Sequence, residues 1–130
     1  MIDFKSNREK ESGYLALPKG RCGPGVIVVQ EWWGLDSGIK EMADRLAVAG
    51  FVALAPDLYH GELAEHTEMD KAVELMTALP ADRAARDMSA AVDYLADHDA
   101  TTNDGIGVMG FCMGGLLTFV LAALRPDRIV

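Results

Sequence analysis

The sequence has few of the residues that mark several large protein classes. Its 130 residues include two cysteines, Cys22 and Cys112, too few for a disulfide framework, and this favours a reducing, cytoplasmic location. The longest apolar stretch, residues 114–124, has 11 residues and is too short to span a bilayer. The first ten residues, MIDFKSNREK, carry charges but no apolar segment, so we expect no signal peptide.

Basic residues are also scarce. Twelve Lys and Arg stand against 20 Asp and Glu, which gives a net charge of −8, and the basic residues are scattered along the chain. Nucleic acid and anionic membranes are therefore not expected as partners. Half of the residues are apolar and a quarter are charged, which is sufficient for the core of one domain and excludes a disordered or fibrous chain.

Short apolar runs alternate with stretches of helical periodicity. Strands are predicted at residues 13–18, 26–30, 51–56 and 105–111, with the start of another at 128–130. Helices are predicted at residues 37–49, 69–79, 81–98 and 113–124, and a turn at 101–104. This alternation predicts an α/β fold with a mainly parallel sheet, covered by helices on both faces, and no domain boundary within residues 1–130.

One segment carries the pattern of a nucleophile elbow, which is a sharp turn from a strand into a helix, the elbow helix, that presents a nucleophile. Gly110-Phe111-Cys112-Met113-Gly114-Gly115 follows a predicted strand and opens a predicted helix. Small residues at 110 and 114 permit a sharp turn, and the helix N-terminus favours a thiolate at Cys112. The alternative is a structural cysteine between packing glycines, because free cysteine is also a common core residue.

A second segment lies at the same predicted edge of the sheet. Glu31, in Gln30-Glu31-Trp32-Trp33-Gly34, directly follows the first buried strand. Ligands bind at the carboxyl ends of the strands in open α/β sheets, so Glu31 and Cys112 are expected to share an edge. The alternative is a solvated charge at the strand end, with the two tryptophans packed under a loop.

Together these segments resemble the dienelactone hydrolase family of α/β-hydrolases. QEWWG, AGFVALAPDLYHG and GVMGFCMGG occur in the order found in that family, and the resemblance extends from about residue 13 onward. It implies an α/β-hydrolase three-layer sandwich that acts on a small ester or lactone without a cofactor or metal. It further implies Cys112 as nucleophile, Glu31 as the carboxylate that interacts with the resting thiol, and the backbone N–H groups of Trp32 and Met113 as the oxyanion hole.

Two departures from the family qualify this expectation. Met69 and Val73 stand where well-known members have an Arg and a Tyr that hold the substrate carboxylate. The 18 residues after Cys112 contain no histidine, and Asp127 follows the elbow helix too closely to be the triad acid. We therefore expect residues 1–130 to form the N-terminal part of one α/β-hydrolase domain, truncated after the elbow helix, with the triad Asp and His further along.

The remaining candidates have simpler interpretations. His98 is expected at the opposite, amino edge of the sheet, whereas His60 and His66 follow a strand at the edge of Cys112. No third ligand stands near these two at a recognisable spacing, so the sequence predicts no metal site. Tyr59 is interpreted as a packing residue with a hydrogen-bonded hydroxyl, and Cys22 as incidental.

The sequence is compatible with two functions of different kinds. The first is a cysteine-dependent hydrolase whose acyl-enzyme mechanism needs an Asp and a His from a further segment. The second is a non-catalytic α/β-hydrolase-like binding domain, which the lack of a histidine after Cys112 favours. The oligomeric state stays open.

Overall fold

The computed structural model describes residues 1–6, 9–102 and 105–130, so the predicted turn at 101–104 lies partly outside the described residues. Five strands and four helices follow one another along the described parts of the chain. They are β1 Ile2–Ser6, β2 Glu9–Ala16, β3 Gly25–Val29, α1 Ser37–Val48, β4 Val52–Pro56, α2 Met69–Ala78, α3 Ala81–Asp97, β5 Gly107–Gly110 and α4 Met113–Leu124.

The strands form one sheet in the order β1-β2-β4-β3-β5. Strand β3 pairs in parallel with β4 and β5, as the alternation of strands and helices predicts. Strands β1 and β2 add an antiparallel flank, so the sheet is mixed. Directly before β5 in the chain, Ile106 forms a parallel bridge with Ile129, which agrees with the strand start predicted at 128–130.

Helices cover both faces of this sheet, which confirms the predicted α/β architecture. Because successive side chains of a strand point to opposite faces, Ile27 and Val29 pack toward α3 and α4, whereas Val28 packs toward α1. Both faces of β3 and β4 are buried, which explains their uninterrupted apolar sequences.

The helix ends follow from local chemistry. Asp36 is the N-cap of α1, and its Oδ1 accepts a hydrogen bond of 3.1 Å from the backbone N–H of Ile39. Pro80 precedes α3, whose predicted inner stripe is fully buried: Met88, Ala91, Val92 and Leu95. Arg125, at the end of α4, binds Asp93 of α3 at 2.7 Å and so joins the two helices.

Two features differ from the sequence-based expectation. Strand β1 and the first half of β2 are not predicted from the sequence, because Ile2–Ser6 and the charged residues after it lack a continuous apolar run. Helix α2 buries only Ala72 and leaves Met69, Val73 and Met76 exposed.

Within the described part of the chain, no helix has both the length and the apolar character needed to cross a bilayer.

Candidate active site

The turn between β5 and α4 has the predicted position and a constrained backbone. Cys112 is the N-cap of α4 and has φ 57° and ψ −122°, a conformation with positive φ that few non-glycine residues adopt. Its side chain is exposed, so the thiol stands clear of the core. The first N–H groups of α4 have no intrahelical acceptor, and they place positive potential beside it.

Two glycines let this turn pack against the sheet. A Cβ added at Gly110 would lie 2.6 Å from the carbonyl carbon and oxygen of Gly114. A Cβ added at Gly114 would lie 2.5 Å from the carbonyl oxygen of Gln30 and 2.6 Å from that of Val29. The turn therefore rests directly on the backbone at the end of β3, which explains why only small residues fit at 110 and 114.

Glu31 lies at the same sheet edge as Cys112. Val29 of β3 is paired with Gly110 of β5, and Glu31 and Cys112 each stand two positions beyond that pair. Glu31 is half-buried, and its backbone forms a bridge with Gly34. Among the described residues, neither the carboxylate of Glu31 nor the thiol of Cys112 has a hydrogen-bond partner, so a direct interaction between them stays a prediction.

Aromatic and ionic contacts fix the turn that follows β3. The rings of Trp32 and Trp33 meet edge to face at 5.0 Å, and His66 stacks on Trp33 at 4.6 Å. His66 Nε2 lies 2.8 Å from Asp36 Oδ2 at the start of α1. The backbone at Trp32, the predicted oxyanion-hole donor, is thus held between β3 and α1.

Tyr59 connects the loop after β4 to the elbow. Its side chain is 4% exposed, and its hydroxyl donates to Met113 Sδ at 3.6 Å, which confirms the interpretation as a packing residue with a bonded hydroxyl. Burial raises the pKa of Tyr59 to about 12. The phenol therefore stays protonated at neutral pH and keeps its contact with Met113.

All three histidines are bound away from Cys112. His60 contacts Glu11 and Asp87, and His66 contacts Asp36. His98 is the C-cap of α3, and its Nδ1 accepts from the N–H of Ala100 at the amino edge of the sheet, as predicted. Within residues 1–6, 9–102 and 105–130, no histidine therefore contacts the thiol.

The other sequence-based candidates have no contact that suggests chemistry. Asp127 pairs with Arg125 at 3.0 Å, which holds the pKa of Asp127 below its usual range. Cys22 is exposed in the turn before β3. Met69 and Val73 are 60% and 45% exposed on α2.

Comparison with known sequences assigns the pattern to a family. The model of the dienelactone hydrolase family matches residues 12–129. The chain is 44% identical to Protein usf of Aquifex pyrophilus over 135 aligned positions, covering 99% of this chain and 57% of that protein. It is 29% identical to the carboxymethylenebutenolidase of Pseudomonas putida, covering 82% of this chain and 48% of that enzyme. The chain thus spans about half the length of these relatives.

Solved structures agree with this fold. A dienelactone hydrolase-like promiscuous phosphotriesterase from metagenomic libraries superposes with a TM-score of 0.80 at 26% identity, over 98% of this chain and 54% of that one. The dienelactone hydrolase of Anabaena variabilis gives a TM-score of 0.71 at 22% identity, over 98% and 58%. The latter similarity concerns the fold alone.

Proposed function

Because the chain belongs to the dienelactone hydrolase family, we propose that it carries the nucleophile and oxyanion hole of a cysteine-dependent hydrolase of small esters or lactones. One observation supports this proposal most: an exposed Cys112 at the N-terminus of α4, on a backbone of positive φ seated against β3 by Gly110 and Gly114.

In the proposed reaction, the Cys112 thiolate attacks the acyl carbonyl carbon and forms a tetrahedral intermediate. The N–H groups of Trp32 and Met113 stabilise the negative charge on its oxygen. The intermediate then releases the alkoxide, which takes a proton as it leaves, and a thioester on Cys112 remains. Water attacks that thioester, which releases the acid and restores the thiol.

The proton transfers require a general base that we assign to a histidine outside residues 1–130. The positions of His60, His66 and His98 support this assignment, because each is bound to other residues. In α/β-hydrolases the triad acid and histidine follow the nucleophile along the chain. The half-length coverage of the relatives is consistent with such a further segment.

The proposed substrate is uncharged at its end near α2. Met69 and Val73 stand at the positions where well-known family members hold a substrate carboxylate, and neither can donate a charge-assisted hydrogen bond. Both side chains are exposed and apolar. A neutral ester or lactone therefore suits this chain better than an anionic dienelactone.

Covalent trapping distinguishes the hydrolase from a binding domain. After brief incubation of the full-length protein, which would include the segment carrying the proposed histidine, with p-nitrophenyl acetate and acid quenching, we expect an acetyl thioester on the tryptic peptide that contains Cys112. The peptide containing Cys22, the other exposed cysteine, is the internal control and should stay unmodified over the same time. Equal acetylation of both cysteines, or of neither, would favour the non-catalytic binding domain.

Glu31 should restrain the resting thiol. In the variant Glu31→Gln, iodoacetamide should label Cys112 several-fold faster at neutral pH, because loss of a nearby negative charge favours the thiolate. Labelling is measured by mass spectrometry in a Cys22→Ser background. Glu41→Gln, which removes an exposed carboxylate on α1, is the matched control. Equal labelling rates in both variants would show that Glu31 does not act on the thiol.

A further inference from the structure

A second group of titratable side chains lies on the β1–β2 side of the sheet. Glu11 of β2, His60 of the loop after β4 and Asp87 of α3 each offer one ligand atom, and these atoms all lie within 4.8 Å of one another. His60 Nε2 is 2.7 Å from Glu11 Oε2 and 2.8 Å from Asp87 Oδ2. The cluster is distinct from the Cys112 turn, and the hydrolase proposal does not use it.

Negative charge is concentrated in this cluster. Glu11 and Asp87 are 4% and 2% exposed, and buried carboxylates need a compensating charge. His60 Nε2 lies between the two carboxylates, so a cation bound among the three side chains would compensate the negative charge.

The surroundings orient the donor atoms. Ser6 Oγ donates to Asp87 Oδ1 at 2.9 Å, which leaves Oδ2 directed at His60, in the manner of outer contacts that orient metal ligands. Asp57 lies in the same loop as His60, is 7% exposed, and its Oδ1 has no partner among the described residues. Its other oxygen accepts from Gly61 N, and its own N–H donates to Ser12 O.

We propose that Glu11, His60 and Asp87 bind a divalent transition-metal ion, with Zn²⁺ as the representative. One imidazole nitrogen and two carboxylate oxygens are a ligand set that zinc accepts, and three protein ligands leave a fourth position for water. On binding, the ring nitrogen of His60 gives its lone pair to the metal, and any proton that it carried is released to solvent. The side chain of His60 is 32% exposed, which gives the ion a route in from solvent.

The ion would reinforce contacts that already join three elements, since His60 bridges Glu11 and Asp87, and Arg83 of α3 donates to Leu58 O in the loop. It would fix β2, the loop after β4 and α3 to one another, and that loop also places Tyr59 against Met113. The proposed role is structural, because Glu11, His60 and Asp87 contact one another and not Cys112. The sequence alone indicates no third ligand for His60, because Glu11 and Asp87 reach it only through the fold.

Zinc titration tests this proposal. The protein, carrying Cys22→Ser and Cys112→Ser so that thiols do not compete, is freed of metal with EDTA and titrated with ZnCl₂ by calorimetry. We expect one Zn²⁺ per chain, with binding that weakens as the pH falls and histidine becomes protonated. Glu11→Gln, Asp87→Asn and His60→Asn should each raise the Kd at least about tenfold. Asparagine is chosen at 60 because His60 has φ 52°, which asparagine tolerates.

His66→Asn is the matched control, because it removes the other histidine that is paired with a carboxylate. This variant should bind Zn²⁺ like the parent. A parent protein without stoichiometric Zn²⁺ binding overturns the proposal irrespective of how well the variants fold. Zn²⁺ binding that is lost in His66→Asn and kept in His60→Asn overturns the proposal too, because the metal would then be bound by His66 and Asp36.

Discussion

Replacing Cys112 by alanine in the full-length protein should lower the kcat/KM for a p-nitrophenyl ester at least about 10³-fold, because loss of the proposed nucleophile leaves only the oxyanion hole and binding. Cys112→Ser should keep only a small part of the activity, since a hydroxyl gives up its proton far less readily than a thiol. Both changes leave the fold intact, because the side chain at 112 is exposed. Initial rates of ester hydrolysis measure the effect, and thermal melts followed by circular dichroism verify the fold.

Cys22→Ala provides the matched control for this measurement. Cys22 is the other exposed cysteine of the chain, and it lies before β3 rather than after β5. Its variant should hydrolyse the ester like the parent protein. Parent-like hydrolysis by Cys112→Ala would show that the nucleophile is assigned wrongly and would favour a binding domain.

Gly114→Ala should destabilise the protein by about 3 kcal/mol or more, because its methyl group would enter a close-packed backbone contact. The added carbon would lie 2.5 Å from the carbonyl oxygen of Gln30 and 2.6 Å from that of Val29. Neither atom belongs to a side chain that could turn away, so the start of α4 must separate from β3. Urea unfolding followed by circular dichroism measures the change in the free energy of unfolding.

Gly20→Ala is the corresponding control, because a Cβ at Gly20 would meet no atom within 4 Å. Its free energy of unfolding should stay within about 0.5 kcal/mol of the parent value, as for most surface substitutions. If Gly114→Ala also stayed within this range, the close contact between the elbow and β3 would be disproved.

The central part of the fold is predictable because its signals are local. Strands β3 and β4 are uninterrupted apolar runs, and the inner stripe of α3 repeats with helical spacing. Strand β1 and the first half of β2 escape prediction because β1 has only two apolar residues, Ile2 and Phe4, and the segment EKES at the start of β2 has none. Phe4 is buried, but Lys5 and Lys10 beside it in the sheet give the segment the character of a surface.

The candidate site and the Glu11 cluster likewise differ in how far the sequence predicts them. The Cys112 turn is predictable because its glycines, cysteine and helix lie within a few consecutive residues. The placement of Glu31 at the same edge follows from the parallel arrangement of β3 and β5. The burial of Glu11 beside His60 and Asp87 is not predictable, because these residues meet only after β2, the loop and α3 have packed together.

The elbow also has an evolutionary consequence. Gly114 is constrained by the main chain of β3, and Gly110 by the main chain of Gly114, so a larger residue at either position cannot be compensated by a change at the other. The exposed position 112 has no such constraint from packing. Evolution can therefore vary position 112 without disturbing the packing of the elbow, whereas the two glycines must be kept together.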